Sequence, residues 1–242
     1  MKNFLKAYFL QPINAFGRFY ARIKPISRSN PAIKFNEGYL EVNSLELSKY
    51  VVRRLVPIVG YKPFPLTELS LMAAAVCYFS PDLIFEWGTN IGVSARVFSD
   101  IISFFNITSH IYSIDLPNNM HHTEHPHQLR GYLVRNRKHV SLLQADGPSE
   151  AIKVWRKNGS PAGCLFFLDG DHSYDSVLKE LHLIDKSVLQ PRFLVHDTFL
   201  QISDSGYNIG PRSAVDDFLS SSPNKYNRVS LDISKPGMTL LY

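Results

Sequence analysis

Cysteine is scarce. The chain has two, Cys77 and Cys164, far apart and in apolar surroundings. That excludes a disulfide framework and a cysteine zinc site, and it predicts a reducing, cytoplasmic setting. Long apolar runs are missing too. Nothing reaches the roughly 18 consecutive apolar residues of a membrane span. The first residues lack a compact apolar core with a small-residue cleavage site, so no secretory signal is expected. The dinucleotide fingerprint G-x-G-x-x-G does not occur. Acids are absent from residues 1–36, which carry Lys2, Lys6, Arg18, Arg22, Lys24, Arg28 and Lys34.

Those seven cations account for the whole positive balance. The chain's net charge is +5, so removing them leaves −2 (5 − 7) on the remainder. A near-neutral body argues against a nucleic-acid partner, which calls for a basic face. With 242 residues, 45% hydrophobic and 19% charged, the chain suits one α/β domain with an added element. The added element is the arm. Phe9, Ile13, Phe16, Tyr20 and Ile23 recur at helical spacing, Pro12 suits a first turn and Pro25 ends it. Two readings stay open. The stripe packs on the domain or on a second subunit of a homo-oligomer, or residues 1–36 lie on the inner face of an anionic membrane. The expected division is a basic arm and linker over 1–43 and a single domain over 44–242.

Beyond the arm, Asn43 or Ser44 can cap a helix with Leu47, Tyr50, Val51 and Leu55 on its apolar face. "PIVGYKPFP" links it to a mostly buried helix, "LTELSLMAAAVCYF". After Pro81, apolar runs alternate with helical patterns: "DLIFEW", "HIYSID", "HVSLLQAD", "CLFFLDGD" and "RFLVHD" read as strands. "VSARVFSDIISFF", "HQLRGYLVRNR", "SEAIKVWRK" and "SVLKELHLIDKSV" read as the helices between them. "YNRVSLDI" and "GMTLLY" end the chain as a hairpin. The predicted fold is α/β: a Rossmann-like, doubly wound, mostly parallel seven-stranded sheet with a C-terminal antiparallel hairpin and an N-terminal helical extension.

In such a sheet ligands bind beyond the carboxyl ends of the strands. The first strand delivers "EWGTNIG", with Glu86, Gly88, Asn90 and Gly92, where glycines permit a tight turn and close approach. The second delivers Asp115, placed to accept from both ribose hydroxyls. The third delivers Asp146 and Gly147, the fourth Asp169, the fifth His196, Asp197 and Thr198. Any one of these is an ordinary turn or cap. All five strands ending in an acid at one edge indicates a site.

"FEWGTNIGVSA", "YSID", "QADG", "FLDGDHSYDSVLKEL" and "LVHDT" together resemble the ordered motifs of class I S-adenosylmethionine-dependent methyltransferases over about residues 80–200. Within that class the last two resemble small-molecule O-methyltransferases with an acidic metal site, including the macrocin O-methyltransferase-like group. The tail "GYNIGPRSAVDDFL…LDISKPGMTLLY" resembles the cephalosporin hydroxylase/rhamnosyl O-methyltransferase family. The resemblance implies S-adenosylmethionine as cofactor, with Glu86, Gly88, Asn90 and Gly92 shaping the pocket for its methionine part. Asp115 would take the ribose, Asp146 and Gly147 would lie by the adenine, and Asp169 would face the cofactor. It also implies a divalent metal, Mg²⁺ or similar, on Asp169 and Asp197. The family has an acid or Asn beside the second Asp; here His196 and Thr198 stand there as the remaining ligand candidates.

The resemblance implies methyl transfer to a hydroxyl of a small molecule, with a sugar or the saccharide part of a glycolipid or natural product as the leading acceptor. Asp169, His172 and His196 are the catalytic candidates, because a histidine can take a proton near neutral pH. Asp171 suits the next helix start; Tyr174 lines the pocket or packs. "HHTEHPHQ" puts His121, His122, His125 and His127 in a loop that touches substrate, is merely solvated, or binds metal. Residues 203–212 could form the opposite wall, where Arg212 pairs with an anionic substrate or steadies a helix. Two rivals remain: another Rossmann-like enzyme, such as a nucleotide-dependent oxidoreductase or hydroxylase, and a non-catalytic methyltransferase-like binding module.

Overall fold

The computed structural model describes residues 25–34, 39–117, 120 and 129–242. The basic helix expected before Pro25 and the loop bearing His121, His122, His125 and His127 lie outside them.

Each apolar run ahead of a polar break becomes a strand. These are β1 Leu83–Trp87, β2 His110–Asp115, β3 Val140–Gln144, β4 Leu165–Leu168, β5 Arg192–His196, β6 Arg228–Leu231 and β7 Met238–Leu241. They form one sheet in the order β3-β2-β1-β4-β5-β7-β6. β1 to β5 run parallel, while β7 is antiparallel to both β5 and β6. β1 and β4 are buried on both faces, as near-continuous apolar sequence requires. The order reverses between β1 and β4, so a crevice opens there at the carboxyl rim.

Seven α-helices, among the described residues, cover the sheet: α1 Ser44–Tyr50, α2 Val56–Val59, α3 Leu66–Phe79, α4 Val93–Phe104, α5 Gly147–Lys157, α6 Tyr174–Ser187 and α7 Gly210–Ser221. A π-helical turn, Val51–Leu55, joins α1 to α2. Asn43 is the cap of α1, its Oδ1 accepting from Glu46 N at 3.2 Å. Strand alternation divides the core. Ile84, Leu165 and Phe167 pack with α3 and α4 on one face. Phe85, Phe166 and Phe193 pack with α5, α6 and α7 on the other. No helix among the described residues is long and apolar enough to cross a membrane.

One expected helix, over residues 127–137, does not form among the described residues. From Leu129 to Asn136 the chain forms successive turns. Gly131 N donates to Asn90 O at 2.7 Å and Leu133 N to Ile91 O at 3.0 Å. Those donors serve the loop after β1 and are lost to a helical ladder. Gly131 also takes φ +63, and a Cβ there would stand 2.5 Å from Leu142.

Candidate active site

The carboxyl ends of β1, β2, β4 and β5 open into a cleft of about 1220 Å³. That exceeds the roughly 300–1,000 Å³ of a site for one drug-sized ligand. It can take a cofactor and an acceptor together.

The loop after β1 forms its floor. Gly88 has φ +91, and a Cβ there would stand 2.1 Å from the Asp169 carbonyl oxygen. Only glycine lets the β1 and β4 loops pass so closely. Gly88 N donates to Ile114 O at 3.1 Å. Asn90 turns with φ 47, and its Oδ1 accepts from Ile91 N at 2.7 Å. Both residues line the cleft. Glu86 and Gly92 do not. Gly92, at φ +90, is the cap that starts α4. The Glu86 carboxylate is buried beneath the floor, where Oε1 accepts from Ser113 Oγ at 2.5 Å and Oε2 has no hydrogen-bond partner among the described residues. Burial pushes its pKa up to about 7, against the opposing pull of the Ser113 and Ser94 hydroxyls. Its expected contact with cofactor gives way to a buried position under the loop.

Asp115, Asp146 and Gly147 also line the cleft. Asp115 Oδ1 accepts from Leu116 N at 2.9 Å and Oδ2 from Arg130 Nε at 3.0 Å. Asp146 caps α5 through Ser149 N at 3.3 Å. Packed against Gly147 and Gly170, Trp87, the last residue of β1, donates Nε1–H to Glu180 Oε2 at 3.0 Å.

The β4 and β5 ends bring a chain of acids and histidines together. His196 is 5% exposed. Its Nδ1 lies 2.8 Å from Asp169 Oδ1 and its Nε2 3.2 Å from Glu68 Oε2. Burial alone would lower its pKa, but Asp169 leads Glu68 and Asp197 in outweighing burial, and the pKa rises to about 10. Glu68 comes from the first turn of α3 and is 1% exposed. Its Oε1 accepts from Gly237 N at 2.9 Å, which ties α3 to the β6–β7 turn.

His172 sits nearer the opening. Its Nδ1 is 3.0 Å from Asp197 Oδ2, and Nε2 is 4.0 Å from Asp169 Oδ1. The Asp197 hydrogen bond raises the His172 pKa. Burial works to raise that of Asp197, but His172 and His196 prevail and hold it low. Asp197 has φ +57, which turns its side chain to the rim. Tyr207 Oη is 3.1 Å from Asp197 Oδ1 and 2.6 Å from Pro236 O, and Asn208 Nδ2 donates to His172 O at 2.7 Å. The segment after β5 thus braces the cluster from behind. Arg212 pairs with Asp216 and Asp232, each at 3.0 Å, so it steadies α7. Tyr174 Oη donates to Asp217 at 2.7 Å and is absent from the lining.

Asp169, His172 and Asp197 each offer a ligand atom, all within 4.8 Å of one another. Two carboxylates and an imidazole at a cleft rim suit a divalent cation. This revises the expected set of Asp169, His196, Asp197 and Thr198. Both His196 nitrogens are engaged by carboxylates. Thr198 is fully buried, absent from the lining, and its Oγ1 is 2.8 Å from Thr239 Oγ1 on β7. Sequence reasoning also missed Glu68, Trp87, Glu180 and the cleft-lining Lys62, Phe64 and Lys235. For Glu68 a signal existed: it is the sole charge in a mostly apolar helix.

A family model described as rhamnosyl O-methyltransferase/CmcI matches residues 57–239. The rhamnosyl O-methyltransferases of Mycobacterium tuberculosis and Mycobacterium bovis are each 28% identical over 171 residues, 66% of this chain and 64% of theirs. The match therefore spans less than two thirds of those relatives. Apo CalS11, a TDP-rhamnose 3'-O-methyltransferase of calicheamicin biosynthesis, superposes with TM-score 0.56 at 15% identity, covering 82% of this chain and 92% of that one. The O-methyltransferase TomG from Streptomyces achromogenes, in complex with SAM, gives TM-score 0.54 at 12% identity over 83% and 89%. At such identities these structures share the fold.

Proposed function

The chain belongs to the rhamnosyl O-methyltransferase/CmcI family, and on that premise we propose that it is an S-adenosylmethionine-dependent O-methyltransferase acting on a sugar hydroxyl. The acceptor is a saccharide, free or as part of a glycolipid or natural product. The observation that carries this reading is the Asp169–His172–Asp197 cluster at the rim of a cleft of about 1220 Å³.

The cofactor supplies an electrophilic methyl group. The chain's part is to bind, align and deprotonate. Gly88, without a side chain, would let the backbone of the loop after β1 come close to the methionine part. Asp115 retains lone pairs for the ribose hydroxyls. Asp146 and Gly147 border the base. Alignment of the acceptor oxygen with the methyl is worth up to roughly 7–11 kcal/mol. A divalent cation, held by Asp169, His172 and Asp197, would supply Lewis acidity to the acceptor oxygen. Asp197, through its 3.0 Å contact with His172 Nδ1, also favours a second reading. In it His172 Nε2 takes the acceptor proton directly, with Asp197 orienting the ring.

The tests separate these points. Isothermal titration with S-adenosylhomocysteine is expected to show binding; none at high micromolar concentration removes the assignment. Asp169→Ala is expected to abolish turnover while sparing that binding, and full activity would refute the metal-bearing site. Loss of activity on chelation, restored by a divalent ion, selects the metal reading over the histidine base. Two buried free thiols suit a cytoplasmic setting. Residues 1–36 are proposed to contact an anionic membrane or a second subunit. Liposome pelleting and sizing, with and without them, should differ; identical behaviour refutes both.

A further inference from the structure

We propose that Glu180 reads the 6-amino group of the cofactor's purine and so restricts the cleft to adenine nucleosides. The inference rests on the methyltransferase reading above. Glu180 sits in α6 and lines the cleft though only 9% exposed. A buried carboxylate is costly unless donors or a cation surround it. Among the described residues the only firm donor is Trp87 Nε1–H, at 3.0 Å from Oε2. Ser176 Oγ is at 3.5 Å from Oε1, the limit of a hydrogen bond. The charged groups acting on Glu180 are Asp171 and Asp146, both acids, and burial leads in pushing its pKa up to about 7. A group so placed weakens the empty protein. It lacks a second N–H donor, and its Oε1 has acceptor capacity to spare.

The surroundings say what shape brings that donor. Trp87 is flanked by two glycines: a Cβ on Gly147 would stand 2.6 Å from its ring, and one on Gly170 2.9 Å. Both glycines line the cleft. At both glycines the backbone packs directly on the indole, so this stretch of the cleft wall beside Glu180 carries no side chain, and a flat ring can lie against it. Asp146, spending Oδ2 on its cap to α5, closes the same end. A planar base with an exocyclic amine meets both conditions. A 6-oxo purine would turn a carbonyl oxygen toward the carboxylate and be repelled.

Calorimetry of the full chain above about pH 8, where a carboxyl of pKa about 7 is ionised, with S-adenosylhomocysteine and S-inosylhomocysteine, which differ in amine against oxo at that position, tests this. The wild type is expected to prefer the adenine compound by about tenfold or more, the range of a hydrogen bond to a charged group. In Glu180→Gln the amide carbonyl keeps the Trp87 bond and the NH₂ faces the base. The ratio should then fall by about tenfold, with the inosine compound binding more tightly than to wild type. A role confined to holding Trp87 would weaken both compounds alike, and that result overturns the proposal. Equal wild-type affinities overturn it without any variant. Should Glu180→Gln not fold, Glu180→Asp, which withdraws the charge by one methylene, must lose the preference; keeping it counts against the proposal. Failure of the wild type to bind S-adenosylhomocysteine at all overturns this inference and the methyltransferase reading together, whereas tight binding without discrimination overturns only this one.

Discussion

Glu86→Gln is expected to stabilise the protein above neutral pH and change little in acid. The Glu86 carboxyl titrates near 4.5 in an ordinary environment and near 7 in the fold, because burial outweighs the Ser113 and Ser94 hydroxyls. A carboxyl whose folded pKa is raised favours the native state fully below pH 4.5. That contribution fades as pH rises and is lost above about 7. The interval of about 2.5 units, at 1.36 kcal/mol each, gives about 3 kcal/mol. Glutamine keeps the shape and carries no proton to lose. Urea denaturation of both proteins at several pH values isolates the effect, since every other titrating group is common to them. The difference in unfolding free energy should move by about 3 kcal/mol in favour of the glutamine protein between pH 4.5 and 8. Parallel curves would show that Glu86 is ionised in the native state, and the buried, proton-retaining carboxyl would be wrong.

Two further substitutions address the rim. Gly88→Ala puts a methyl 2.1 Å from the Asp169 carbonyl at φ +91, and the strain should cost at least about 1–3 kcal/mol and weaken S-adenosylhomocysteine binding; an unchanged thermal midpoint contradicts this. Glu68→Ala strips one of two carboxylates from a buried imidazole, a loss of about 3–5 kcal/mol for a broken buried pair; a loss below about 1 kcal/mol in denaturant titrations would mean that His196 is neutral there.

The strand-end aspartates were legible because each one ends an apolar run, and an ionised carboxylate is costly in the sheet interior. Asp115, Asp146, Asp169 and Asp197 all reach the cleft for that reason. Adjacency to Asp197 did not bring Thr198 to the cleft. The alternation of sides ends at Asp197, whose left-handed backbone resets the direction, so Thr198 points to β7. Glu86 misled because its carboxylate hides under the loop it precedes, held by a serine of the neighbouring strand. The turns from Leu129 to Asn136 were unreadable since their donors go to carbonyls of the loop after β1, beyond any local periodicity. Glu68 lies 128 positions from the histidine it meets. Its lone charge in a mostly apolar helix announced a partner without naming one.

That long reach decides where the molecule can be cut. A fragment begun at Pro81 keeps every motif-bearing strand, yet it leaves a protonated ring facing a void on one flank and frees the hairpin turn at Gly237. Recognition motifs and the smallest foldable piece therefore have different borders, and any transplant of the strand ends into a related scaffold must carry α3 with them.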